Sequence, residues 1–337
     1  MTRRTPSILL FSLLGACANQ EVAAPVKSTS SDIAPAPEPP PVAMPSPMNA
    51  QPSALAEARR GFVTKVTRPE PPEEPAPTPP PSVFRLVRYD APPGKLAAYL
   101  SPDPGDGRKH PAIVWITGGD CNSIDEVWEP GPRSNDQSAS AYRKAGIIMM
   151  FPSLRGGNDN PGSREGFYGE VDDVVAASEF LAQQPYVDPQ RIYLGGHSTG
   201  GTLVMLVAEI SDRFRATFSF GPVDDPRGYP NQYFVNDRSN AREMELRTPA
   251  NWLDSVRRPL FVLEGDDPRS SNAGALYLMS GISANPLIRF LVVKGFDHFS
   301  VLAPVNELIA AKILRDEGPT TNITISEAEL SELRARR

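Results

Sequence analysis

The 337-residue chain carries 34 Lys and Arg against 40 Asp and Glu, a net charge of −6 with a pI near 5.3. No basic stripe is available to neutralise phosphates, which argues against nucleic acid as a partner. Three histidines and two cysteines are too few and too scattered for a zinc site, and no metal or organic cofactor is expected.

Residues 1–16 read as a signal peptide. Arg3 and Arg4 form a positive start, and the apolar run from Ile8 to Leu14 is too short to span a bilayer. Leu14-Gly15-Ala16-Cys17 matches a bacterial lipobox, so Cys17 is expected to carry a diacylglycerol and to tether the mature chain to the bacterial envelope, at the outer membrane if the source is Gram-negative. Cys121 then has no disulfide partner in the mature chain and reads as a packing residue. Seventeen of the 38 prolines lie between Pro25 and Pro81, in a stretch with few large apolar side chains. Residues 17–81 are accordingly expected to form a Pro-rich, disordered linker.

From Ser82 to Arg337, apolar runs alternate with helical patterns, the signature of a mostly parallel sheet covered on both faces. The predicted strands are Val83–Tyr89 and Lys95–Leu100, an antiparallel entry hairpin, then Ala112–Ile116, Ile147–Phe151, Ile192–Leu194, Thr217–Phe220, Leu260–Leu263 and Ile288–Val293. Predicted helices are Gly169–Gln184, Thr199–Ile210, Gly274–Ser283 and Val305–Leu314, with a capping box at Ser326–Glu329 opening a last one. Gly156–Phe167 reads as a loop. Residues 222–255 read as a small cap inserted over the carboxyl ends of the strands, where ligands bind in such sheets.

The strand Ile192–Leu194 runs into Gly195-Gly196-His197-Ser198-Thr199-Gly200-Gly201 and then into an apolar helix. This is a G-x-S-x-G nucleophile elbow in its strand–turn–helix context, with Ser198 raised at a helix N-terminus where developing negative charge is favoured. A serine needs a base. His110 precedes its strand, at the wrong edge of the sheet, and the ring of His197 cannot easily turn back onto the neighbouring hydroxyl. His298, after the last strand, remains. The acid is expected after the penultimate strand, in Glu264-Gly265-Asp266-Asp267-Pro268. Asp267 is favoured over Asp266 because Pro268 pushes it toward an extended conformation. Asp297, Asp224 and Asp225 are rivals, each with a commoner role in turns and caps. The oxyanion hole should combine the backbone N–H of Thr199 with that of Gly119 or Asp120, in the glycine-bearing loop Thr117-Gly118-Gly119-Asp120.

The elbow, together with Pro152-Ser153-Leu154-Arg155-Gly156-Gly157, Glu170-Val171-Asp172-Asp173-Val174, Val187-Asp188-Pro189-Gln190-Arg191-Ile192 and Leu246-Arg247-Thr248-Pro249, resembles the prolyl-oligopeptidase and dienelactone-hydrolase side of the α/β-hydrolase superfamily. The resemblance implies an α/β-hydrolase fold and a triad of Ser198, His298 and Asp267 or Asp266. It also sets Arg155 near the active-site rim, where pairing with Asp172 or Asp173 is favoured over holding a substrate carboxylate. The chain departs from the family in lacking a β-propeller and in a shorter acid loop. The expected activity is cleavage of an ester or small amide, a small-molecule ester or a peptide, through an acyl-enzyme. The alternatives are a prolyl-oligopeptidase-like peptidase and a catalytically inactive hydrolase fold that serves as an envelope binding module.

Overall fold

The computed structural model describes residues 52–68, 73–231 and 234–335. The signal peptide, Cys17 and the linker up to residue 51 lie outside the described residues. Eight strands form one sheet: β1 (Arg85–Ala91), β2 (Gly94–Leu100), β3 (His110–Ile116), β4 (Ile148–Pro152), β5 (Val187–His197), β6 (Thr217–Phe220), β7 (Leu260–Gly265) and β8 (Ile288–Val293). Their spatial order is β1-β2-β4-β3-β5-β6-β7-β8. The first two pairings, β1–β2 and β2–β4, are antiparallel and the rest are parallel. This is the expected α/β-hydrolase architecture. From β3 the chain first builds outward to β4 and then returns to the other side of β3 with β5. The loops after β3 and β5 therefore part at a topological switch point, where such sheets open a crevice at their carboxyl edge.

The central strands read as unbroken apolar runs because both of their faces are covered. Ile113, Val114 and Trp115 on β3 and Val262 and Leu263 on β7 are all fully buried. On one face lie α3 (Glu170–Ala182) and α4 (Thr199–Ile210). On the other lie α2 (Ser140–Lys144), α7 (Leu302–Arg315) and α8 (Glu327–Ala335). Helix α4 is buried along all but its last residue, which accounts for its nearly all-apolar sequence. The capping box holds: the Glu329 carboxylate accepts from Ser326 N at 2.9 Å, and Ser326 Oγ accepts from Glu329 N at 3.3 Å.

The stretch read as linker is not free of the domain. Ser53 caps α1 (Ala54–Arg59) through Ala56 N at 3.1 Å, and Leu55 is 1% exposed within the main core. Arg59 forms an ion pair with Asp172 at 2.9 Å, Thr67 N donates to Val235 O at 2.6 Å, and Tyr99 Oη donates to Pro77 O at 2.7 Å. Composition averaged over a proline-rich stretch hid a short run, Ser53-Ala54-Leu55-Ala56-Glu57-Ala58-Arg59, that has a cap, helix formers and an apolar anchor. Burying that one leucine contributes about 2 kcal/mol. The 222–255 insertion contains α5 (Ala241–Glu245) and packs against the domain, its Met244 and Leu246 buried in the main core.

Candidate active site

Ser198 stands between the end of β5 and the start of α4 with φ 55° and ψ −115°, a left-handed-side conformation rare outside glycine. The turn is possible because its flanks carry no Cβ. A Cβ on Gly196 would sit 2.6 Å from Gly200 O, and one on Gly200 would sit 2.4 Å from Ile116 O. Thr199 is the first residue of α4, so its N–H has no acceptor inside the helix. Its hydroxyl donates to Gly119 O at 2.8 Å, which draws the β3 loop against the elbow. Gly119 has φ +77°, and among the described residues no acceptor takes the N–H of Gly119 or Asp120. The Asp120 side chain accepts from Asn122 N at 3.1 Å and from Arg164 at 2.9 Å. The three residues expected at the oxyanion hole thus lie on the β3 loop and at the start of α4, joined by a hydrogen bond.

His298 follows β8 and is fixed by its backbone, its N–H donating to Ser270 O at 2.7 Å. Its Nδ1 lies 2.7 Å from Glu264 Oε2. Here the expectation from sequence is corrected: the carboxylate on the imidazole is Glu264, the penultimate residue of β7, and neither Asp267 nor Asp266. Glu264 is fully buried and its oxygens are well supplied, Oε1 accepting from Gly265 N at 2.7 Å and Oε2 also from Asn272 N at 3.1 Å. Gly221, with φ +58°, leaves the room this pair needs: a Cβ there would lie 2.4 Å from His298 Cε1 and 2.6 Å from Glu264 Oε2.

The two aspartates hold up the loop instead. Asp266 accepts from Gly295 N at 2.6 Å. Asp267 donates its N–H to Phe296 O at 3.1 Å, while its side chain pairs with Arg269, whose hydrogen bonds hold that carboxyl down to about 2. A glutamate reaches one methylene further than an aspartate, so it can meet the imidazole from the strand itself while an aspartate would have to leave the strand first. The signal was available: Leu260-Phe261-Val262-Leu263-Glu264 is a buried strand ending in a charge, which needs a partner.

The remaining candidates sort cleanly. His110 lies at the start of β3 and meets Asp106 at 3.0 Å. Asp297 accepts from Phe299 N and Ser300 N, and Asp225 caps a turn at Arg227, both as turn residues. Arg155 grips Asp173 through Nε at 2.9 Å and Nη2 at 2.8 Å and meets Glu165 at 2.6 Å, which is the structural pairing rather than a free guanidinium. Cys121 is buried, and burial pushes its thiol well above the usual range. Tyr229 meets Thr202 Oγ1, on the first turn of α4, at 2.8 Å; the Phe167 ring packs on that of Tyr229 and in turn meets the Phe234 ring.

The sequence model of the prolyl oligopeptidase family matches residues 133–279. An uncharacterised peptidase of Bacillus subtilis, YtmA, is 25% identical over 193 residues, covering 53% of this chain and 72% of that protein. The dual-function macrocyclase-peptidase POPB of Galerina marginata is 35% identical over 122 residues, 34% of this chain but only 16% of its own length. S-formylglutathione hydrolase of Rattus norvegicus is 23% identical over 60% of this chain and 82% of its own. Among solved structures, dipeptidyl peptidase 4 of Porphyromonas gingivalis superposes with a TM-score of 0.56 at 17% identity, over 69% of this chain and 35% of that one. A puromycin-hydrolysing peptidase of Mycobacterium tuberculosis gives 0.56 at 19% identity, over 72% and 41%. The chain thus spans well under half of the solved structures it resembles. The fold is that of the α/β-hydrolases, and the family match supports a place in that superfamily.

Proposed function

We propose that this chain is a serine hydrolase that cleaves an ester or small amide bond through an acyl-enzyme on Ser198. The observation that carries the reading is the 2.7 Å contact between a fully buried Glu264 and His298, at the sheet edge where the strained Ser198 turn stands. In the first half-reaction Ser198 Oγ attacks the carbonyl carbon while His298 Nε2 takes its proton. Glu264 keeps the Nδ1 proton facing itself, which leaves Nε2 free as the base and stabilises the imidazolium as it forms. The N–H groups of Thr199 and Gly119 receive the oxyanion, each worth about 3 kcal/mol in such sites. The tetrahedral intermediate collapses as the imidazolium protonates the leaving group. Water then repeats the sequence on the acyl-enzyme, and the serine is restored.

A peptidase is the second reading, supported by the match to the prolyl oligopeptidase family over residues 133–279. Labelling with a fluorophosphonate tests the chemistry, and a panel of esters and peptidyl amides separates the two readings. Ser198→Ala should abolish labelling and turnover with little change in melting temperature. Labelling that persists in that variant would refute the assignment.

A further inference from the structure

We infer that His197 and Gln137 form a positioning pair that holds the oxyanion loop and the His298 loop in register about Ser198, a role that rests on the serine-hydrolase reading above. His197 is the residue before the nucleophile and is fully buried. Its Nε2 lies 2.8 Å from the carbonyl oxygen of His298, and its Nδ1 lies 2.7 Å from Nε2 of Gln137. Gln137 Oε1 accepts from Gly118 N at 3.1 Å, and its Nε2 also donates to Asn135 Oδ1 at 2.9 Å.

Donor logic fixes every proton in this chain. A carbonyl only accepts, so His197 Nε2 carries the hydrogen and Nδ1 is the acceptor. A backbone N–H only donates, so Gln137 turns its oxygen to Gly118 and its amide nitrogen to His197. The order is then Gly118 N–H to Gln137 oxygen, Gln137 N–H to His197 Nδ1, and His197 Nε2–H to His298 carbonyl. Each end bears on a catalytic part. Gly118 immediately precedes Gly119, whose carbonyl is already tied to Thr199. The His298 backbone carbonyl belongs to the residue whose ring meets Glu264.

The arrangement needs a neutral imidazole, since a cation would carry a second N–H, at Nδ1, facing the Gln137 amide nitrogen that must itself donate. Burial, with the His298 ring 4.5 Å away, pushes His197 down to about 3. Packing alone does not account for the residue. Gly118 is small where His197 stands, because a Cβ there would lie 2.7 Å from Nδ1, so the loop is shaped to this ring. Phenylalanine would fill the same volume without either hydrogen bond.

The test compares His197→Phe, His197→Gln and Gln137→Ala in the full chain, with p-nitrophenyl acetate turnover, fluorophosphonate labelling rate and melting temperature as readouts. His197→Phe should lower kcat on the order of 10²-fold with KM within about twofold. His197→Gln keeps a donor for the His298 carbonyl and should recover roughly tenfold of that loss. Gln137→Ala should fall between the wild type and His197→Phe. Wild-type kcat in His197→Phe, or a loss in kcat that follows melting temperature and is not recovered by glutamine, would overturn the inference. A second readout does not depend on turnover: nitrogen-15 spectra at neutral pH, assigned by loss of signal in His197→Phe, should show the Nε2–H tautomer. The Nδ1–H tautomer or a cation would overturn the pair, even if a silent wild type had already removed the hydrolase reading.

Discussion

Two glutamates, Glu264 and Glu209, are each fully buried, and their surroundings are opposite. Glu264 receives an imidazole and two backbone N–H groups. Glu209, on α4, has no hydrogen-bond partner for either oxygen among the described residues, and burial pushes its carboxyl well above the usual range, in favour of the neutral acid. Depth alone therefore does not make a functional carboxylate. The donors that meet it do, because only they let a charge persist where water cannot reach.

The difference can be broken at Glu264 first. Glu264→Gln should depress kcat by up to roughly 10⁴-fold, through loss of the oriented imidazole tautomer. Asp267→Asn and Asp266→Asn should each change kcat by about a few-fold, since those side chains meet Arg269 and Gly295 rather than His298. Steady-state kinetics on a chromogenic ester checks this, and a large loss at Asp267 with a mild one at Glu264 would reverse the assignment. A third buried glutamate sharpens the point. Glu243 is 1% exposed and faces Arg247, which is itself fully buried and bonded at 2.6 Å. Arg247→Met leaves that carboxylate without its cation and should cost about 3–5 kcal/mol in denaturant unfolding. An unchanged midpoint would show that the pair contributes nothing.

The next effect is read through pH. His197 takes its proton near 3 when folded, against 6.5 as the ordinary value. The unfolded chain thus binds a proton between these values that the folded chain refuses, and stability falls as pH drops through 6.5. The loss is about 1.4 kcal/mol per pH unit, or about 2 kcal/mol by pH 5. Unfolding curves for wild type and His197→Phe should converge as pH falls over that interval, and parallel curves would contradict the depressed value. Smallest is Glu209→Met, which replaces an unpartnered acid with an apolar side chain of like length. It should raise stability by about 1–2 kcal/mol and leave ester turnover unchanged. A lower melting temperature would mean that the carboxyl has a partner after all.

Much of this is legible in the sequence. Buried parallel strands announce themselves as short Val, Ile, Leu and Phe runs, so Thr217–Phe220 and Ile288–Val293 were read to the residue. The elbow was legible because its glycines answer to contacts with backbone, which no substitution can relieve. Position after the last strand singled out His298. Glu264 is hidden from sequence reasoning because aspartates gather in the loop after the strand, whereas this acid stands at the end of the buried strand itself. Helix α1 was missed because its anchor partners, Asp172 and the 235–255 region, lie more than a hundred residues away and no local pattern reports them.

That distance has a cost in time during synthesis. The segment around Leu55, Thr64 and Thr67 is among the first parts of the domain to leave the ribosome, yet Leu55 N meets Ser255, Thr64 meets Arg247, and Thr67 meets Val235. At ordinary rates of translation the partners arrive about 10–40 s later. For that interval Leu55 and the buried side of α1 have nowhere to dock, and the closing contacts are of the long-range kind that slows folding. The proline-rich composition on either side is suited to that wait: it offers little apolar surface and few free N–H groups to pair wrongly while the rest of the sheet is being made.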